Sequence, residues 1–139
     1  MSETPGPTKQ QLEHCSEFVT LSGLRFDWIS ATSVTGWIDL GPQHHQPFGI
    51  VHGGVYASAI ETSASVGAST AAMERDMIAV GVNNNTNFIA SMSEGRVRVV
   101  AEPLVQGRTQ QIWNVTITRE SDDRLIASGQ VRLQNVERR

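Results

Sequence analysis

The chain has a single cysteine, Cys15, and a single lysine, Lys9, among its 139 residues. One thiol cannot build an intramolecular disulfide framework, and Cys15 lies in no nucleophile motif. No run is long and apolar enough to span a membrane, and residues 1–7 lack the apolar core of a signal peptide, so a cytoplasmic location is expected. The Asn84-Asn85-Thr86 and Asn114-Val115-Thr116 patterns then read as chance matches to a glycosylation signal. There is no basic excess: the net charge is −3, which removes the electrostatic case for nucleic acid or an anionic membrane. Gly-x-Ser-x-Gly, P-loop and Gly-x-Gly-x-x-Gly patterns are missing, so neither a serine elbow nor a phosphate-cradling loop carries the chemistry. His44, His45 and His52 lack the one-face spacing of a zinc helix, and no cysteine or acid completes a set, so no metal is expected.

What remains is a chain sized for one domain. With 39% hydrophobic and 18% charged residues it falls in the range of globular proteins. Residues 1–8 are expected to be disordered and 9–139 to form the domain, without repeats or a linker. Residues 12–21 are weakly amphipathic and suggest a short helix. Alternation predicts strands at 24–29, 34–40, 78–88, 96–105, 110–119 and 125–134. Turns are expected at Ala31-Thr32, Ser93-Glu94-Gly95, Gln106-Gly107-Arg108 and Ser121-Asp122-Asp123. Trp28, Trp37 and Trp113 fall in these strands as core or interface anchors. The order is β-β-α-β-β-β-β, an α+β domain with one antiparallel sheet.

The one long helix begins near Gly53-Gly54 and runs to about Met73. It is proline-free, small-residued and apolar on nearly every face, which marks it as buried. A single acid, Glu61, interrupts it, and a carboxylate is seldom buried without a partner or a task. Ser65, four residues on, shares the face of Glu61. The free N–H groups at the start of the helix favour an anion near His52 and Gly53. Gly53 and Glu61 are eight residues apart, roughly 12 Å along the axis at about 1.5 Å per residue. If both act on one substrate atom, they come from two antiparallel copies of the helix, that is, from a two-fold dimer.

Two blocks carry a resemblance. The first is Gln46-Pro47-Phe48-Gly49, then His52-Gly53-Gly54, Glu61 and Ser65. The second is Ser91-Met92-Ser93-Glu94-Gly95-Arg96-Val97-Arg98, then Glu102-Pro103-Leu104, Gly107 and Ile112-Trp113. Together they resemble the hotdog-fold acyl-CoA thioesterases, most closely the 4-hydroxybenzoyl-CoA and 1,4-dihydroxy-2-naphthoyl-CoA hydrolase group, over residues 12–133. The resemblance implies a curved sheet wrapped round the helix, edge-to-edge dimers and commonly a homotetramer. Its substrate would be an acyl-CoA, with coenzyme A part of the substrate and no separate cofactor.

By this resemblance Glu61 is the nucleophile on the thioester carbonyl or the base that activates water. The Gly53 N–H polarises that carbonyl. His52 orients the loop or helps the thiolate leave, or serves only as a hydrogen-bonded structural histidine. Gln46 contacts the carbonyl or the water, and Ser65 positions water. Coenzyme A contacts would come from Gly81, from Phe88-Ile89-Ala90-Ser91 and from Gln106-Gly107-Arg108-Thr109-Gln110, with Arg108 suited to a phosphate. Many relatives have Arg-Pro where this chain has Ala90-Ser91. That departure tilts the expected substrate towards a bulky aryl group, with 1,4-dihydroxy-2-naphthoyl, as in menaquinone synthesis, first. A hotdog dehydratase and a non-catalytic acyl-CoA binder are the alternatives.

Overall fold

The computed structural model describes residues 16–138. Cys15, His14 and the first part of the expected helix at 12–21 lie outside the described residues. What is described of that helix is α1, Glu17–Ser22, capped by Ser16 and closed by Gly23 at φ 82°. Strands β1 (Arg25–Ile29) and β2 (Val34–Leu40) form the expected hairpin. A 3-10 turn over Pro42–His44 leads through a loop into α2, Gly53–Met73. Four strands follow: β3 (Met77–Phe88), β4 (Gly95–Gln106), β5 (Gln110–Arg119) and β6 (Leu125–Glu137).

The six strands form one antiparallel sheet in the order β1-β2-β4-β5-β6-β3. Helix α2 lies across one face and packs against every strand. This is the hotdog architecture. Inward residues of each strand alternate with outward polar ones, as Val97, Val99 and Ala101 do against Arg96 and Arg98. Small residues let helix and sheet approach closely. A Cβ at Gly67 would sit 2.6 Å from Trp113 Cζ3 and 3.0 Å from Val34 Cγ2. Trp113 is fully buried, and its Nε1 donates to Gln111 Oε1 at 2.9 Å. Gln111 in turn donates to the Ala68 carbonyl and to Asn135 Oδ1, both at 2.9 Å, so this buried amide has its partners.

The three tryptophans divide. Trp113 is a core anchor, Trp37 lies on the outer face beneath the Arg96 guanidinium at 3.9 Å, and Trp28 is 57% exposed. A core role for Trp28 is therefore corrected: β1 is a short edge strand, broken by a register shift between Phe26 and Trp28 that turns this ring outward.

The β5–β6 turn is held by Arg119, which donates to both Asp122 oxygens at 2.8 and 2.6 Å. This bidentate pair, helped by the Arg124 N–H, holds the Asp122 carboxyl at about 2. A carboxyl depressed on folding stabilises above its unfolded value near 4 and loses that contribution as pH falls through the folded one. An NMR titration should place the Asp122 midpoint near 2 and move it upward in Arg119→Gln. An unmoved midpoint would count against the pair.

Candidate active site

The loop before α2 is shaped by its own backbone. Gln46 N–H donates to the Ile50 carbonyl at 2.8 Å, and Gly49 N–H returns to the Gln46 carbonyl at 3.1 Å. Gly49 sits at φ 81°, where a side chain would be strained. Gln46 Oε1 accepts from the Phe48 N–H. The side-chain oxygen is thereby engaged in the loop, which leaves the Nε2 hydrogens of Gln46 as its donors to a ligand.

His52 caps the helix: its Nδ1 accepts the Gly54 N–H at 2.8 Å. Nδ1 is therefore unprotonated and the proton of the neutral ring sits on Nε2. Gly53 opens the helix and has no carbonyl four residues back to receive its N–H. A Cβ there would meet the Phe88 ring at 2.8 to 3.1 Å, so only glycine lets this aromatic lie over the helix start. Gln46, Ile50, Val51, Gly53, Tyr56 and the 88–91 segment line a mainly apolar cleft of about 360 Å³.

Glu61 is half-buried between α2 and β3. Ser65 Oγ donates to its Oε2 at 3.3 Å, and Asn84 Nδ2 donates to its Oε1 at 3.2 Å. A Cβ at Gly81 would collide with Oε2 and stand 3.2 Å from Cδ. Gly81, expected among the coenzyme A contacts, thus stands against the carboxylate in this chain. No arginine or lysine pairs with Glu61 among the salt bridges of the described residues.

The structure therefore groups the expected residues into three places. Gln46, Gly53 and the Phe88-Ile89-Ala90-Ser91 segment line the cleft at the start of α2, and His52 is the N-cap next to Gly53, outside the cleft lining. Glu61, Ser65 and Gly81 gather two turns further on. The Gln106-Gly107-Arg108-Thr109-Gln110 turn lies beyond the other end of the helix, beside Ala71 and Ala72, about 28 Å from Gly53 at 1.5 Å per residue. That turn is tied down by Gly107 N–H to the Gln110 carbonyl and by Asn135 Nδ2 to the Gly107 and Arg108 carbonyls, and the Arg108 side chain is exposed.

Two residues here carried no sequence signal for a site. Asn84 read only as part of a chance match to a glycosylation signal. Tyr56 read as part of the apolar helix, yet it lines the cleft at 3% exposure with its hydroxyl unpartnered. Burial pushes that hydroxyl up to about 12, so it stays a neutral donor.

The histidines do not converge. His44 Nδ1 accepts the Gly41 N–H at 3.2 Å while its Nε2 donates to the Ser22 carbonyl at 2.9 Å. His45 Nε2 donates to the Ser93 carbonyl at 2.6 Å. Among the described residues, no three His, Cys, Asp or Glu side chains cluster to hold a metal, and no helix is long and apolar enough to cross a membrane.

The helix thus bears one carboxylate, an N–H without an intrahelical partner at its start and an apolar cleft beside it, all on a hotdog sheet, and comparison with known proteins identifies this arrangement as that of a thioester hydrolase. Residues 48–126 match the family model described as Thioesterase superfamily, and the chain belongs to that family. It is 42% identical over 139 residues to "Putative esterase Rv1847" of Mycobacterium tuberculosis, covering 99% of this chain and 96% of that one. The solved structure of that protein superposes with a TM-score of 0.85 at 45% identity, covering 89% of this chain and 99% of its own. The thioesterase HI1161 of Haemophilus influenzae superposes with a TM-score of 0.86 at 26% identity, over 99% of this chain and 96% of that one. A 1,4-dihydroxy-2-naphthoyl-CoA hydrolase of Listeria monocytogenes is 40% identical over 84 residues, 60% of this chain and 68% of its own.

Proposed function

We propose that this thioester hydrolase acts on an aryl acyl-CoA at a site shared by two copies of the chain. The observation that carries this reading is the separation of the parts. Gln46 and Gly53 line one cleft, and Glu61 stands two turns away, outside it. A second helix running antiparallel brings its Glu61 to the first copy's cleft. Strand β3 supports the arrangement. It is an edge strand of 12 residues with Val80 and Val82 exposed at 46% and 56%, and a long open edge invites pairing with another strand. Edge-to-edge pairing makes a homodimer, and dimers of this kind can pair into a homotetramer.

In this reading the thioester carbonyl lies against the Gly53 N–H, with the Gln46 amide as second donor. Glu61 of the other copy attacks the carbonyl or takes a proton from the attacking water. The thiolate of coenzyme A leaves, and the proton on His52 Nε2 is available to it. Ser65 holds the carboxylate. Coenzyme A enters as part of the substrate, and this chemistry calls on no metal or further cofactor. The exposed Arg108 is suited to a phosphate, and the 88–91 segment to the pantetheine arm. The apolar side chains of Val51 and Ile50 and the ring of Tyr56 suit an aromatic acyl group such as 1,4-dihydroxy-2-naphthoyl. Acyl-CoA esters of this kind fit a cytoplasmic enzyme of menaquinone synthesis.

The test is thiol release, read with a thiol-reactive dye, from a panel of aryl and alkyl acyl-CoAs. Fastest release from hydroxyaryl esters is expected, and a preference for unbranched alkyl esters would overturn the substrate class. The shared site has its own test. Gln46→Ala and Glu61→Gln are each expected to be impaired, but co-expressed they form mixed dimers with one intact site. Activity should recover to about a quarter of wild type, because half the dimers are mixed and each carries one good site of two. No recovery in verified mixed dimers would sink the shared site.

A further inference from the structure

Gly81 and Asn84 are three residues apart on β3, and in a regular strand they would face opposite sides of the sheet. They face the same side here because the strand has one residue too many. Gly81 pairs with Leu133 and Asn83 with Arg132, which leaves Val82 as a bulge. Gly81 and Asn84 therefore oppose Leu133 and Val131, two core residues, and both turn towards α2. Bulges re-aim side chains in this way beside functional sites.

The amide of Asn84 is held at every polar atom. Its Nδ2 donates to Glu61 Oε1 at 3.2 Å and to the Ala57 carbonyl at 3.1 Å. Its Oδ1 accepts from Thr86 Oγ1 at 2.6 Å. The hydroxyl of Thr86 thus decides which end of the amide faces the carboxylate. Thr86 fits because its cross-strand neighbour is Gly129, where a Cβ would stand 2.9 Å from Thr86 Oγ1. The pair that resembled a glycosylation signal is an Asn and a Thr two apart on one strand face, joined to each other.

We propose that Asn84, oriented by Thr86, is a positioning residue for Glu61. The carboxylate ends a side chain with three rotatable bonds, and attack on a carbonyl tolerates little error in its placement. Asn84 holds Oε1, Ser65 holds Oε2, and Gly81 leaves room for Oε2. An uncharged amide orients the carboxylate without neutralising it as an arginine would. This inference rests on Glu61 being the catalytic carboxylate.

The experiment measures kcat and KM by thiol release from the best ester for wild type, Glu61→Gln, Asn84→Leu, Thr86→Val and Thr86→Ser. Asn84→Leu should lower kcat about 10- to 100-fold with KM little changed, because a misplaced reacting group slows the step without weakening substrate binding. Thr86→Val should lose about tenfold in kcat, and Thr86→Ser should stay near wild type, since only serine keeps the hydroxyl that orients the amide. A purely structural role predicts the reverse order, because valine matches threonine in shape and suits a strand better than serine. If Asn84→Leu does not fold, the Thr86 pair decides alone. A valine variant as active as the serine variant, with Glu61→Gln impaired, overturns the positioning role only. An unimpaired Glu61→Gln overturns the catalytic reading and this inference with it.

Discussion

Glu61→Gln is expected to cut thioester turnover by about 100-fold or more while leaving the unfolding midpoint in place. The two halves of that result have separate causes. Glutamine has the size of glutamate, so it fits the space that Gly81 leaves and can still accept from Asn84 Nδ2. No salt bridge is lost, since none among the described residues involves Glu61. What disappears, in the proposed mechanism, is the negative oxygen that would attack the carbonyl or take the proton from water. A neutral amide does neither, and a 100-fold loss corresponds to about 2.7 kcal/mol of transition-state stabilisation. Thiol release at saturating and at low substrate separates kcat from kcat/KM, and both should fall. Turnover within a few-fold of wild type would remove Glu61 from the chemistry, and some other group would have to supply the nucleophile.

The second large effect is on stability. Trp113→Ala should lower the unfolding free energy by about 3–5 kcal/mol, the range for emptying a large aromatic from a core. Trp113 is fully buried where β5 meets α2, and its indole N–H satisfies Gln111 Oε1. The substitution therefore opens a cavity and also loosens the Gln111–Asn135 network. Gly67→Ala presses on the same contact from the helix side, because its Cβ would enter the space of the Trp113 ring. Overpacking there should lose about 1–3 kcal/mol. In Trp113→Phe the smaller ring makes room, so adding Gly67→Ala should do less harm than it does alone. Urea unfolding of the four variants gives the coupling directly. A loss below about 1 kcal/mol in Trp113→Ala would mean that the core reseals round the missing ring.

The strands were legible because a half-buried sheet writes its alternation into the chain. The expected 34–40 and 110–119 match β2 and β5 to the residue. Helix α2 was legible from its small apolar composition and its glycine start, and the i,i+4 spacing of Glu61 and Ser65 placed their side chains together, as the 3.3 Å contact has them. The fate of each tryptophan was not legible, since all three sit in strands and only the packing tells inner face from outer. Tyr56 was hidden because its ring satisfies the helix pattern, and nothing local reveals that its hydroxyl would lack a partner.

What the chain by itself determined is the order of elements and the shared face of Glu61 and Ser65, which depend on neighbours within a few residues, where helix and strand periods apply. The candidates Gln46, His52 and Gly53 came from the resemblance carried by the motif blocks. Tertiary structure alone decided that Gly81 and Asn84 share a face, that Thr86 turns the Asn84 amide, and that the 106–110 turn lies at the far end of α2 from Gly53. The reason is physical. A single bulge at Val82 reverses the facing of every residue after it, and its position is set by register against β6, some fifty residues away.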